Sequence, residues 1–118
     1  MINYQLNENI FRPGDLIRGS CQWLPSGDEA KQKATLTVGW RTEGRGDVDR
    51  EFIYEAEIYP HQLAQFHCKI PLNAYPSYDG QLLRIIWEVR VYFTSRGLKG
   101  ILGMKESPEA ETFRVVGG

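Results

Sequence analysis

Leu83-Arg84-Ile85-Ile86-Trp87-Glu88-Val89-Arg90-Val91-Tyr92-Phe93 is the longest regular stretch of this chain. Leu83, Ile85, Trp87, Val89, Val91 and Phe93 share one parity, and Arg84, Glu88 and Arg90 fall on the other. Alternation with a period of two marks a strand with one buried and one wetted face. The same pattern recurs on either side of it. Ile17, Gly19, Cys21 and Trp23 alternate with Leu16, Arg18, Ser20 and Gln22; Leu36, Val38 and Trp40 alternate with Thr35, Thr37 and Arg41. Phe52, Tyr54, Ala56 and Ile58 do so against Glu55 and Glu57, with Ile53 interrupting the polar row. Phe66, Cys68 and Ile70 alternate with His67 and Lys69, and Phe113 and Val115 with Thr112 and Arg114. Together with the segment Ile2 to Leu6 these runs make about seven strands.

Turn formers stand between the runs: Pro13-Gly14-Asp15, Pro25-Ser26-Gly27-Asp28, Glu43-Gly44-Arg45-Gly46-Asp47 and Pro76-Ser77-Tyr78-Asp79-Gly80. Proline presets φ at such places and glycine permits values that other residues avoid. Gly80, after Asp79, is expected at positive φ. Several short strands with turns at fairly regular spacing predict an all-β chain folded as a two-sheet antiparallel β-sandwich. Trp23, Trp40 and Trp87 all lie on the inward parity and read as core.

The chain has 118 residues, the length of a single domain, and residues 1–118 are read as one sandwich able to bury its own core. Its 14 basic and 15 acidic residues leave a formal charge of −1, so no overall field recruits nucleic acid. Cys21 and Cys68 are too few for a disulfide framework or a zinc site, and both read as buried free thiols. The opening Met1-Ile2-Asn3-Tyr4-Gln5 has neither a basic region nor a long apolar run. The expectation is a soluble cytoplasmic protein.

The inventory of reactive groups argues against an enzyme. His61 and His67 are the two imidazoles, and His67 and Cys68 are neighbours on a predicted strand. Neighbours on a strand point to opposite faces and form no dyad. No catalytic residue, metal ligand or cofactor site is assigned. Arg45-Gly46-Asp47 spells an integrin-binding tripeptide but reads as a glycine-rich hairpin loop.

Four segments carry a family resemblance. Pro13-Gly14-Asp15-Leu16-Ile17-Arg18-Gly19 resembles the opening of arrestin-type domains, where Pro-Gly-Asp leads into a strand carrying a glycine. Phe66-His67-Cys68-Lys69-Ile70-Pro71 is similar to that family's aromatic strand ending in proline. Pro76-Ser77-Tyr78-Asp79-Gly80, followed by Leu83-Arg84-Ile85-Ile86-Trp87-Glu88-Val89, resembles its Pro-Ser-Tyr-x-Gly turn and Trp-x-Val strand. Trp40-Arg41-Thr42-Glu43-Gly44-Arg45-Gly46 is similar to bacterial arrestin-like proteins, a group that includes sporulation-control proteins. The match spans roughly residues 10 to 93. It implies an immunoglobulin-like sandwich of arrestin type and a non-enzymatic binding or scaffold module. Pro13, Gly14, Asp15, Gly19, Pro76, Tyr78, Gly80 and Trp87 would be its structural motif residues. Arrestins and the retromer subunit of the same fold contain two such sandwiches, and this chain has the length of one. No phosphate-sensing residues are therefore carried over.

Three interaction modes remain open. Thr94 to Glu109 reads as a long loop, and long loops in compact domains are often functional. Within it Leu98, Ile101, Leu102 and Met104 are apolar, flanked by Arg96, Lys99 and Lys105. These residues either meet a protein partner or a membrane surface, or they cover an open end of the sandwich. A bare sheet edge, with the short N-terminal strand as the candidate, offers strand addition by a partner or by a second copy. Tyr54, Tyr59, Tyr75 and Tyr78, if gathered on one surface, offer a platform for a small ligand or carbohydrate. The function expected is a protein-interaction or scaffold module, with ligand binding and oligomer assembly as alternatives.

Overall fold

A computed structural model describes residues 1–44, 48–94 and 105–117. The chain forms two sheets of unequal width. The narrow sheet has three strands in the order β1 (Ile2–Leu6), β3 (Leu16–Trp23), β6 (Leu63–Lys69). In the wide sheet the order is β2 (Ile10–Phe11), β9 (Lys105–Val115), β8 (Leu83–Thr94), β4 (Lys33–Gly44), β5 (Arg50–Ile58), and β7 (Tyr78–Asp79) also pairs with β8. The described residues form nine strands rather than about seven because two of them are only two residues long. Pairing is antiparallel throughout except for β2 with β9, which is parallel. The turn expected at Pro25 to Asp28 continues into a single 3-10 turn over Gly27–Lys31.

The sandwich architecture follows from the alternation, and the core holds most of the inward residues it marked, Leu83 at the start of β8 being exposed. Ile17, Cys21 and Trp23 of β3 face Leu36 and Val38 of β4 and Trp87, Val89, Val91 and Phe93 of β8 in one buried cluster. Trp87 is 1% exposed, and its indole N–H donates to the Tyr75 carbonyl at 2.7 Å. The Pro76 to Gly80 turn is thereby tied to the strand that follows it. Trp40 is only half-buried and meets Tyr75 edge-on with centroids 5.4 Å apart. Cys21 is buried as expected, while Cys68 is half-buried.

Three expectations need correction. Phe52 was placed on the inward parity with Tyr54. The β4–β5 register instead runs Val38↔Tyr54 and then Gly39↔Phe52, leaving Ile53 unopposed as a β-bulge. An extra residue flips every side chain beyond it. Phe52 therefore lies on the outer face, where its ring meets Tyr92 at 5.3 Å. Ile53, which interrupted the polar row, is the bulged residue. The second correction concerns Gly80, whose φ is not in the left-handed region; Gly14 holds that conformation, at φ +90. Gly80 is constrained by space, since a Cβ there would stand 2.7 Å from Cζ and Oη of Tyr78. Third, Thr94 belongs to β8 and Lys105 to Glu109 to β9, so both ends of the segment expected as a loop, Thr94 to Glu109, are strand.

The outer face of the wide sheet is less wet than alternation implies. Glu88, on the polar parity, is 5% exposed. Its carboxylate accepts from Arg41 Nε at 2.9 Å and from Arg90 Nε at 2.7 Å. Arg41 also reaches Glu43 at 2.7 Å, and Arg84 bridges Glu43 at 3.4 Å and Asp79 at 2.8 Å. Burial pushes the Glu88 carboxyl upward, but the hydrogen bonds from Arg90 and Arg41 outweigh it and hold the group below the usual carboxylate range. Beside this ladder, Arg50 donates to the Tyr92 hydroxyl at 2.7 Å and sits 5.6 Å from the centre of its ring.

The last residues of β9 are held on both sides. Arg114 N–H donates to Asn9 O and Val116 N–H to Phe11 O, both at 2.9 Å. On the other side Ser77 N–H donates to Val115 O at 2.7 Å, and Val115 N–H donates to Ser77 Oγ at 2.9 Å.

Candidate functional site: the seam between β1 and β9

β1 pairs with β3 and with no other strand among the described residues. Met1 and Leu24 exchange hydrogen bonds at one end of the pairing, and Asn7 N–H donates to Arg18 O at the other. Antiparallel pairs alternate between bonded and non-bonded positions. Met1, Asn3, Gln5 and Asn7 therefore bond to β3, and the N–H and C=O groups of Ile2, Tyr4 and Leu6 point away from it. Among the described residues the N-terminal strand is therefore an edge of the narrow sheet, one that the sequence alone does not single out. Its mate Gly19 lets this sheet pack closely, since a Cβ there would stand 2.5 Å from Gln5 O and 2.6 Å from Phe66 Cζ.

Across from that edge runs β9, and a groove of about 540 Å³ runs from Glu109 and Glu111 past Ile2 and Tyr4 of β1 onto Gln22 of β3 and Leu63 of β6. A second stretch, about 480 Å³, continues it past Leu6, Asn7 and Glu8. One side chain spans the gap. The Tyr4 hydroxyl donates to Glu109 O at 3.0 Å and accepts from Val91 N–H at 3.2 Å. It stands where the β8–β9 register shifts between Arg90 and Tyr92, beside Pro108, which has no N–H to give to a ladder. Ser107 Oγ donates to the same Glu109 carbonyl at 2.6 Å, and Arg90 Nη1 donates to Ser107 O. Burial pushes the Tyr4 phenol up to about 12, so it remains a neutral donor.

Glu111 is the Cα partner of Val89, and Trp87 that of Phe113. Cross-strand partners share a face, so Glu111 lies on the inner face of the wide sheet, and Glu109, two residues before it, does too. Both are exposed because the narrow sheet stops at β1. Sequence reasoning missed these acids because it placed Glu109 in a loop. The available signal was the parity of Phe113 and Val115, which extends back to Glu111, Glu109 and Ser107.

The other expected sites fare unequally. Pro13, Gly14 and Asp15 form the turn before β3: Asp15 N–H donates to Arg12 O at 2.9 Å and the Asp15 carboxylate accepts from Arg12 N–H at 2.8 Å. Pro76 and Tyr78 are exposed. Arg96, Leu98, Lys99, Ile101, Leu102 and Met104, and the tripeptide Arg45-Gly46-Asp47, lie outside the described residues. The four tyrosines form no common platform. Tyr54 packs on Phe66 beside the core with centroids 6.0 Å apart. Tyr59 follows Ile58, at the Ala34–Phe93 end of the wide sheet, whereas Tyr78 pairs with Ile85 toward the other end. His67 is exposed, and burial pushes the Cys68 thiol up to about 11 and Cys21 to about 12, which leaves both thiols poor nucleophiles. No described helix is long and apolar enough to cross a membrane.

No protein-family model matches the sequence, and no curated protein matches it significantly. Among solved structures it is similar to Spo0M, a sporulation control protein from Bacillus subtilis, with a TM-score of 0.54 and 16% identity. The alignment covers 97% of this chain and 48% of that one, so the chain spans about half the length of its structural neighbour. At this identity the likeness speaks to the fold, which is an arrestin-like β-sandwich.

Proposed function

We propose that this chain is a non-enzymatic protein-interaction module that captures an extended segment of a partner at the free edge of β1. The observation that carries the reading is the row of outward N–H and C=O groups at Ile2, Tyr4 and Leu6, which pair with no strand among the described residues. Such a row is a template for strand addition, in which main-chain hydrogen bonds supply affinity and alternate side chains supply selectivity. The reactive inventory fits binding rather than chemistry: both thiols are raised by burial, and the buried Glu88 is committed to Arg41 and Arg90. Two unbridged cysteines fit a reducing compartment, and we place the module in the cytosol.

Affinity capture from the source cells, followed by amide exchange on the captured complex, tests the reading. Slowed exchange at Ile2, Tyr4 and Leu6 supports edge capture. Unchanged exchange there, with protection gained on another surface, sinks it.

A further inference from the structure

The unequal widths of the two sheets determine what an added strand would meet. β6 lies over β5, where Tyr54 and Phe66 stack, and β3 lies over β8, where Trp23 and Phe93 meet at 5.4 Å. β1 comes next; it approaches β9, and the Tyr4 hydroxyl hydrogen-bonds to it. A fourth strand beside β1 would extend the narrow sheet across the inner face of β9, directly above Glu109 and Glu111.

These two acids stand two residues apart on one face, so their spacing matches alternate side chains of a strand laid above them. Facing sheets lie about 10 Å apart, a gap that a glutamate and a lysine or arginine fill together. Glu8, Glu109 and Glu111 line the two stretches of the groove, and neither stretch is lined by a lysine or arginine. None of the three carboxylates has an ion-pair partner among the described residues. On the wide sheet Glu43, Asp79, Glu88 and Glu106 face arginines, whereas Glu51 and Glu55, like the seam acids, have no ion-pair partner among the described residues but lie on the far strand β5. The seam is thus an edge with unused hydrogen bonds set beside unused negative charge.

We propose that the free edge of β1 accepts an extended segment with basic side chains at alternate positions, and that Glu109 and Glu111 select for them. This rests on the reading of β1 as a capture edge and adds the chemistry of its partner. Uncompensated acids repel an acidic strand as they attract a basic one, so they discriminate between partners more than they add affinity.

The test is a nuclear magnetic resonance titration at low ionic strength with two short capped peptides, one alternating lysine with threonine and one alternating glutamate with threonine. The lysine peptide is expected to shift the amide signals of Ile2, Tyr4 and Leu6. In E109Q/E111Q its affinity should fall about fivefold, the size of two partly shielded ion pairs. Both acids are exposed, so this variant keeps its fold. Equal binding of both peptides at β1 would overturn the selectivity and leave edge capture standing. No shift at β1 with either peptide would overturn both. A concentration-dependent dimer whose β1 amides are protected before any peptide is added would also overturn the proposal, giving the edge to a second copy of the chain.

Discussion

Where β5 meets β6, the inner positions hold Tyr54 and Phe66, whose rings stack at 6.0 Å and shut that side of the sandwich. Where β1 meets β9, the inner positions hold Glu109 and Glu111, and the Tyr4 phenol hydrogen-bonds across to β9. β1, β5 and β6 are edge strands of their sheets, while β9 is followed by the two-residue β2. The closed side also carries a bulge at Ile53 and three glutamates, Glu51, Glu55 and Glu57, features that discourage a foreign strand. β1, Ile-Asn-Tyr-Gln-Leu, has neither charge nor bulge. The sandwich is sealed where aromatic rings occupy the inward parity and stays open where carboxylates do.

Phe66→Ala should show the largest effect, because it removes a buried ring that packs across both sheets. A loss of about 3–5 kcal/mol in chemical denaturation is expected. A loss below about 1 kcal/mol would mean that the closed side is not held by this stack. Glu88→Gln strikes the outer face between the two sides and should cost about 3 kcal/mol near neutral pH, since Arg41 and Arg90 lose a buried charged acceptor. The sign of its pH dependence follows from the depressed carboxyl. The stabilisation is fully present above the ordinary glutamate pKa of about 4.3 and is lost as pH falls through the lower folded-state value. Wild type and variant should therefore converge in urea midpoints measured down to about pH 2, and a constant gap would assign the effect to packing alone.

Tyr4→Phe sharpens the comparison on the open side. It strands the Val91 N–H and should cost about 1–2 kcal/mol, with faster exchange of that amide. Unaltered exchange at Val91 would show that the phenol does not hold the seam. The smallest effect belongs to E109Q/E111Q, which should change stability by less than about 0.5 kcal/mol in the same denaturation series. A larger loss would give these acids a structural role that their exposure does not suggest.

Most of the architecture was legible because β3 and β6 bury one parity and the apolar core residues of β4 and β8 also keep to one parity, which alternation reports. Legibility failed where something other than burial set the pattern. At Ile53 one inserted residue reversed the faces, so that Phe52 left the core while still looking apolar. At Glu88 a charged residue was buried because two guanidiniums satisfied it, a pairing between strands distant in sequence. On β9 the inward parity runs through buried Ser107, exposed Glu109 and Glu111, and buried Phe113 and Val115, and a parity interrupted by two exposed acids looks like a loop. The family resemblance reached the correct fold through turns such as Pro13 to Asp15, whose local geometry repeats with their residues. It did not indicate the seam, which depends on the relative widths of two sheets.

The clamp on the end of β9 has a mechanical consequence. Four hydrogen bonds, to the Asn9 and Phe11 carbonyls on one side and to and from Ser77 on the other, grip Arg114 to Val116. A pull along β9 from its C-terminal end loads these bonds together in shear, not one after another as in a peeled hairpin. Resistance to such a pull is a rate, governed by the barrier to unfolding, and the parallel pairing with β2 places that barrier at the end of the strand. Whatever is tethered there would transmit force to the body of the sandwich before freeing the strand from it.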